Sequence, residues 1–212
     1  MASGSPAPTR QDRRRERTRA RLLGAARTLF ARQGVEETRI NEITEEADVG
    51  FGSFYNHFDS KEAIVEAVLA DSLGAQGAAL ERATRELEDP AEVVSVAHRH
   101  FVRLARTDPD WAWLLVRLEV SHNVMVAALG PHAQRDLERG ISDGRFAVPN
   151  ARVAFFATGG ALLFVMRAVL DGDAPASAER DHAEGVLRML GLTAADAAEV
   201  ARRPMPRIRV AA

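Results

Sequence analysis

Apolar residues recur along the chain at the spacing of helices. Leu22, Ala26, Leu29 and Phe30 fall at i, i+4, i+7 and i+8, one face of a helix that Gly34 ends just after Gln33. After a short connection, Ile40, Ile43 and Ala47 share a face of a brief helix, which Asp48-Val49-Gly50 interrupts. A second short helix is predicted from about Phe51 to Phe58, with Phe54 and Phe58 at i, i+4 turned inward. Asp59 or Ser60 then caps a longer helix that opens Lys61-Glu62-Ala63. Its apolar side carries Ile64, Val65, Val68, Leu69 and Leu73, and it extends toward Leu87.

Downstream, Pro90, Pro109, Pro131, Pro149, Pro175 and Pro204 divide the chain into segments of helix length. Helices are predicted near 91–107, 110–122, 132–143, 150–171, 177–190 and 194–203. No alternating pattern of useful length and no internal repeat interrupts them, so the fold class is all-α. The most apolar stretch, Val153 to Met166 between Arg152 and Arg167, has 14 residues, short of the roughly 20 that span a bilayer. It reads as a buried helix of a soluble protein, with no membrane partner expected.

Composition agrees with a folded globular chain: 212 residues, 46% hydrophobic and 27% charged. The absence of cysteine excludes a disulfide framework, a thiol nucleophile and a cysteine-based zinc site, and it is compatible with the cytoplasm. Met1 to Pro8 lacks the apolar core of a secretory signal and reads as part of a flexible tail over residues 1–10.

Charge changes the picture only when it is divided along the chain. The formal net charge of −2 conceals a segment from Arg10 to Gln33 with nine arginines against two acids, a charge of +7. Residues 62–212 hold 17 arginines against 21 acids, a charge of −4. A basic head therefore precedes an acidic body. Lys61 is the only lysine, so a solvated arginine face in an arginine-biased chain remains an alternative to phosphate binding.

Two short helices separated by a three-residue turn, behind a basic helix, fit a helix-turn-helix, whose second helix can enter a major groove about 12 Å wide. The run Val49-Gly50-Phe51-Gly52-Ser53-Phe54-Tyr55-Asn56-His57-Phe58-Asp59-Ser60-Lys61-Glu62 resembles the signature of the TetR family of bacterial transcriptional regulators. Thr38-Arg39-Ile40, Ile43 and Ala47 before the turn, and Leu29-Phe30 to Gly34, are similar to the family as well. The resemblance implies a head over residues 11–62 that binds DNA and a helical body over 63–205 that binds an effector and dimerises, followed by a tail over 206–212.

The residues of the motif suit those roles. Asp48 stands where the family often has Gly, and Asp tolerates the left-handed conformation of the turn. Gly50 is an acceptable N-cap but supplies no side-chain oxygen. Phe51 either packs on a thymine methyl or packs within the head. Gly52 lets the backbone approach DNA closely, and Ser53 and Asn56 are short polar groups able to reach base edges or phosphates. By the resemblance, Tyr55, His57 and Lys61 hold phosphate oxygens, while Arg39 and Thr44 lie at the start and exposed face of the first motif helix, against the backbone or an outer base. The Arg13–Arg21 string, six arginines with Glu16 for a charge of +5, either runs along phosphates or enters a minor groove as an unstructured arm, or is an unbound tail.

In the body, the helix near 150–171 is apolar almost all round, and Gly159 and Gly160 permit close helix approach. The resemblance implies a homodimer through this helix and the next, with Phe156, Gly159, Gly160, Leu163, Val186 and Leu190 as interface candidates, although a buried helix within one chain explains the pattern too. It also implies a mostly apolar cavity beneath the helix that begins at Lys61. Candidate lining residues are His98, Phe101, Trp111, Trp113, Leu114, Leu118, His122, Met125 and Phe155, all of which are also ordinary core residues. His98-x-His100 is weak metal spacing, since the two side chains leave a helix on different faces and solvent exposure explains them better.

The function implied is a ligand-responsive regulator, most simply a repressor released from a palindromic double-stranded operator by a small, mostly apolar effector. No enzyme motif, cofactor or metal is expected. The alternative is a helical ligand-binding or scaffold protein that does not bind DNA, for which Gly50 and Phe51 leave room.

Overall fold

A computed structural model of the protein describes residues 9–117 and 121–210, with the side chains of Arg117, Ser121 and His122 outside the described set. The described residues form ten helices and no strand. They divide into two compact units, Met1–Val68 and Leu69–Ala212, with the boundary inside one helix at Val68 where Glu62 was expected.

The first unit comprises α1 (Arg10–Glu37), α2 (Ile40–Glu46), α3 (Phe51–Tyr55) and the opening of α4 (Lys61–Thr84). Helix α1 begins earlier than its apolar pattern alone suggests. Thr9 caps it reciprocally with Asp12: the Asp12 N–H donates to Thr9 Oγ1 at 3.2 Å and the Thr9 N–H to Asp12 Oδ2 at 2.9 Å. The arginine string is therefore helical from Arg10 onward, which corrects the expectation of an unstructured arm; arginine is a good helix former, and the cap supplies the start. The expected tail falls mostly on Met1 to Pro8, outside the described residues. Gly34 adopts φ 81° and breaks the helical path where a stop was expected. Ser60 provides the next start, its Oγ accepting from the Ala63 N–H at 3.2 Å. Leu22, Leu29, Ile43, Phe54 and Ile64 are among the fully buried side chains of this unit.

The second unit is built on α5 (Pro90–Thr107), which packs against α6 (Pro109–Arg117), α7 (Ser121–Ser142), α8 (Ala151–Leu170), α9 (Ala178–Met189) and α10 (Ala194–Arg202). Pro90 and Pro109 each occupy a first helical turn, where a missing N–H costs nothing, and Asp89 Oδ1 accepts from the Ala91 N–H at 2.9 Å. Asp89 is fixed in turn by Arg145 Nε at 2.9 Å and Arg203 Nη1 at 3.0 Å, tying the start of α5 to the segment after α7 and the end of α10.

Pro131 does not end a helix. It lies inside α7, so the expected segments near 110–122 and 132–143 become α6 and a continuous α7; a proline inside a helix forfeits one hydrogen bond and is tolerated where packing compensates. The expected tail is also not free, since Ile208 packs against the core of the body and the Arg209 carbonyl accepts from Arg82.

Candidate nucleic-acid interface and ligand cavity

Helices α2 and α3 and the turn between them form a helix-turn-helix. Asp48 carries φ 49°, the left-handed conformation that an Asp permits at this corner. The Val49 N–H donates to the Thr44 carbonyl at 3.0 Å, closing the turn. Arg21 on α1 holds it from outside, Nη2 donating to the Asp48 carbonyl at 2.8 Å and to its Oδ2 at 2.7 Å. On the inner side Phe54 is buried against Phe58, ring centroids 5.7 Å apart, and Arg19 lies 5.2 Å over the Phe58 ring.

This packing turns the opposite side of α3 outward. Phe51 is 53% and Tyr55 49% exposed, with Gly52 and Asn56 exposed beside them. Ser53 and His57 are half-buried. Burial, then Arg15 and Arg19, lower the His57 pKa, so its imidazole is held toward the neutral form. Gly50 precedes α3 in extended conformation without a side-chain cap, and Arg39 is exposed at the start of α2. Helix α3 ends at Tyr55, short of the expected Phe58.

Thr44 is the exception among the expected contacts. It is 2% exposed, and its Oγ1 donates to the Asn41 carbonyl at 2.8 Å. It follows Ile40 by four residues and Ile43 by one, which places it on the inner face of α2 rather than the outer one. Lys61 is half-buried, with Nζ donating to the Glu36 carbonyl at 3.0 Å. Its charge remains in the interface unit while this bond fixes its position.

The second unit contains a cavity of about 460 Å³, within the roughly 300–1,000 Å³ of small-molecule sites. Its wall comes from α4, α5, α7 and α8. Phe101, Met125, Leu129, Phe155 and Leu162 provide apolar surface, and His98, Thr158 and Asp136 are among the polar residues. Thr158 is occupied internally, its Oγ1 donating to the Ala154 carbonyl at 2.9 Å. Burial raises the Asp136 pKa against the opposing pull of Arg135, Arg139 and His132. Arg135 Nη2 reaches Glu81 Oε1 at 3.2 Å, so these charges form a connected cluster on one part of the wall.

Of the expected lining residues, the structure brings together His98, Phe101, Met125 and Phe155. Trp111, Trp113 and Leu114 lie elsewhere. Trp111 donates from Nε1 to Ser72 Oγ at 2.6 Å, Trp113 lies beneath Arg167 at 4.7 Å, and Leu114 packs in the core. Leu118 lies outside the described residues, as does the side chain of His122. Neither residue of His98-x-His100 points to solvent: His98 faces His182, and His100 pairs with Gln76 Oε1 at 2.8 Å.

The profile described as "Bacterial regulatory proteins, tetR family" matches residues 22–68, and that described as "Tetracyclin repressor-like, C-terminal domain" matches residues 89–203. The second alone covers more than half of the chain. The chain belongs to the TetR family. Two solved structures of RolR, one without ligand and one with resorcinol, are 39% identical to this TetR-family regulator, with TM-scores of 0.82 and 0.84. They cover 90% and 93% of this chain, and 100% and 99% of RolR. The transcriptional repressor KstR2 of Mycolicibacterium smegmatis is 38% identical over 91 residues, 39% of this chain and 44% of KstR2. The regulator UidR of Escherichia coli is 32% identical over 85 residues, 40% of this chain and 37% of UidR. The matched stretches thus span less than half of these two curated relatives.

Among its described residues, the TetR-family body carries an apolar surface on α8 that its own core does not cover. Val153, Phe156, Ala157, Gly160 and Phe164 recur along α8 at i, i+3, i+4, i+7 and i+11 and are all exposed, Phe164 by 80%. Helix α8 is thus not buried all round, and by length and composition it and α4 are each long and apolar enough to cross a membrane. Of the expected interface residues, Phe156 and Gly160 lie on this stripe, and Leu163 is half-buried beside it. Gly159 lines the cavity instead, and Val186 on α9 and Leu190 just after it are buried within one chain, in a core cluster with Ala91 and Val94 of α5.

Sequence reasoning missed Leu129, Asp136, Thr158 and Leu162 of the cavity. The signal for the α8 pair was the i, i+3, i+4, i+7 set of Phe155, Thr158, Gly159 and Leu162; on α7 it was hidden by treating Pro131 as a break.

Proposed function

We propose that this TetR-family regulator is a homodimeric repressor of the cytoplasm that leaves a palindromic operator when a small hydroxylated aromatic compound fills the cavity. The observation that carries this reading is the cavity itself: apolar rings and aliphatic side chains with polar and charged groups on part of the wall, which is contributed in part by the helix whose first residues belong to the DNA-binding unit. The 39% identity to RolR over nearly its whole length, including its complex with resorcinol, supports a hydroxylated aromatic ring as the effector class.

On DNA, Phe51, Gly52, Ser53 and Asn56 would meet base edges, while Arg39, Tyr55, His57 and Lys61 would hold phosphates. One motif reads few base pairs, so two copies joined through the α8 stripe would read half-sites about 34–36 Å apart or a multiple of that distance. The effector favours the dimer geometry in which the two α3 helices no longer match that spacing. Release then follows from its differential affinity for the two states. Catalysis has no part in this reading.

Selection of bound duplexes from a randomised pool tests the reading. It predicts enrichment of a palindromic or pseudo-palindromic sequence. Failure to enrich one at moderate salt would favour the helical ligand-binding protein that does not bind DNA.

A further inference from the structure

Among the polar residues of the cavity wall, which also include Arg82, Thr84, Arg85, Arg139 and Thr158, two arrangements differ in kind. Glu81, His132, Arg135 and Asp136 form a charged cluster contributed by α4 and α7. His98, from α5, belongs to no such cluster and bears on a single partner.

That partner is a second imidazole. His98 Nδ1 lies 3.0 Å from Nε2 of His182 on α9, with the ring centroids 5.1 Å apart. His182 is not part of the cavity wall, so the Nδ1 edge of His98 is turned away from the cavity. Among the described residues no group hydrogen-bonds to His98 Nε2. Burial pulls the His98 pKa down to about 3, with His182 adding to the effect, and burial pulls His182 down to about 4. Both rings are therefore neutral at physiological pH, and one proton lies between the two facing nitrogens.

The pair has two arrangements. When His98 Nδ1–H donates to His182 Nε2, His98 Nε2 is a bare acceptor; when His182 Nε2–H donates to His98 Nδ1, His98 Nε2 carries a proton and is a donor. Each ring keeps one proton in both arrangements, so the change involves no charge.

We infer that His98, positioned by His182, is the specificity-determining hydrogen-bond partner for a hydroxyl group of an uncharged phenolic effector. The inference rests on the cavity being the effector site. A phenolic O–H is the group that matches both arrangements, donating to the bare nitrogen or accepting from the protonated one. A carboxylate or an ammonium at this position would be desolvated beside a ring that burial keeps neutral and that offers no opposite charge. An ether in place of the hydroxyl can only accept from the protonated nitrogen, so it fits one of the two arrangements where a hydroxyl fits both, and its added methyl group must also be housed.

Calorimetric titration of the full chain with resorcinol, 3-methoxyphenol and 1,3-dimethoxybenzene tests this. Capping the last free hydroxyl, from 3-methoxyphenol to 1,3-dimethoxybenzene, is expected to weaken binding to the unmodified protein on the order of tenfold. In His98→Leu, 3-methoxyphenol and 1,3-dimethoxybenzene should bind within about threefold of each other, since the remaining hydroxyl has lost its partner. His182→Gln, which retains a hydrogen-bonding group, should preserve the discrimination, and His182→Leu should reduce it. Independently of any variant, the ring-nitrogen resonances of His98 in 15N-histidine-labelled protein should shift when resorcinol is added. Undiminished discrimination in His98→Leu, or His98 nitrogens unmoved by bound resorcinol, overturns the role of the pair and leaves the cavity reading standing. No binding of any of the three compounds overturns both.

Discussion

The two units place their distinctive chemistry in opposite ways. In Met1–Val68 it is on the surface and contiguous: Phe51, Gly52, Tyr55 and Asn56 are exposed within six residues of sequence. In Leu69–Ala212 it is inside and assembled from distant helices. His98 and His182 are 84 positions apart, and Asp136 and Thr158 reach the same cavity from two further helices. A surface that meets a regular polymer can be carried by one short helix, whereas a cavity that encloses a small molecule needs walls on several sides. Changes in the first unit should therefore alter which DNA is bound, and changes in the second which molecule is bound.

The strongest test of that separation is Phe54→Ala. The ring is fully buried, and its loss should cost about 3–5 kcal/mol. DNA binding should disappear while calorimetric binding of a phenol to the cavity persists; joint loss of both would break the separation. Acid should act on the other unit. His98, His100 and His182 are held neutral there, His100 at a pKa of about 4, chiefly by burial. In the unfolded chain these groups take up protons near pH 6.5, above their folded values. Stability is therefore full above that pH and is lost as pH falls toward 4, by on the order of 3 kcal/mol for a group shifted this far. Burial raises Asp136 and opposes the trend, while Asp89 and Glu179, lowered through their arginine partners, reinforce it at lower pH. Differential scanning calorimetry from pH 7 to 4 should show the body's transition moving to lower temperature, and an unmoved transition would contradict the buried neutral histidines.

Smaller effects separate the roles within the interface. Ser53→Ala and Phe51→Ala should change preference at one or two base pairs by about 1–3 kcal/mol, and Lys61→Ala should weaken all sequences alike while lowering the salt slope by about 1. Identical selection profiles for all three variants would remove the distinction between base and phosphate contacts. The least costly change is Arg21→Ala. Its bond to Asp48 is short, but Asp48 is almost fully exposed and Arg21 partly so, so the head should lose less than about 1 kcal/mol in denaturant titration.

The first unit was more legible because its signals are local. An Asp in the left-handed corner, a Ser at the start of α4 and a Gly that breaks α1 each act over three or four residues, and all three are in place. Thr44 was misplaced because the family resemblance put it on the exposed face of the first motif helix, whereas the period of α2 puts it inside. In the second unit the prolines marked the starts of α5 and α6, but Pro131 lies within α7, where tertiary packing outweighs a lost hydrogen bond. The cavity was legible only in part. Phe101 and Trp111 stack at 6.1 Å, yet only Phe101 borders the void, and the helical period of large apolar residues is the same for a packed face as for a hollow one. The same ambiguity exchanged Val186 and Leu190, which are core, for Phe164 and Val153, which are exposed.

The central claim is that occupancy of the cavity governs what the exposed helix α3 does. Its most direct test is the anisotropy of a labelled, selected operator bound to the protein as resorcinol is titrated, with cavity occupancy followed in parallel by calorimetry. Operator affinity should fall between about 5- and 150-fold as the cavity fills. An affinity that stays unchanged while calorimetry reports saturation would contradict it.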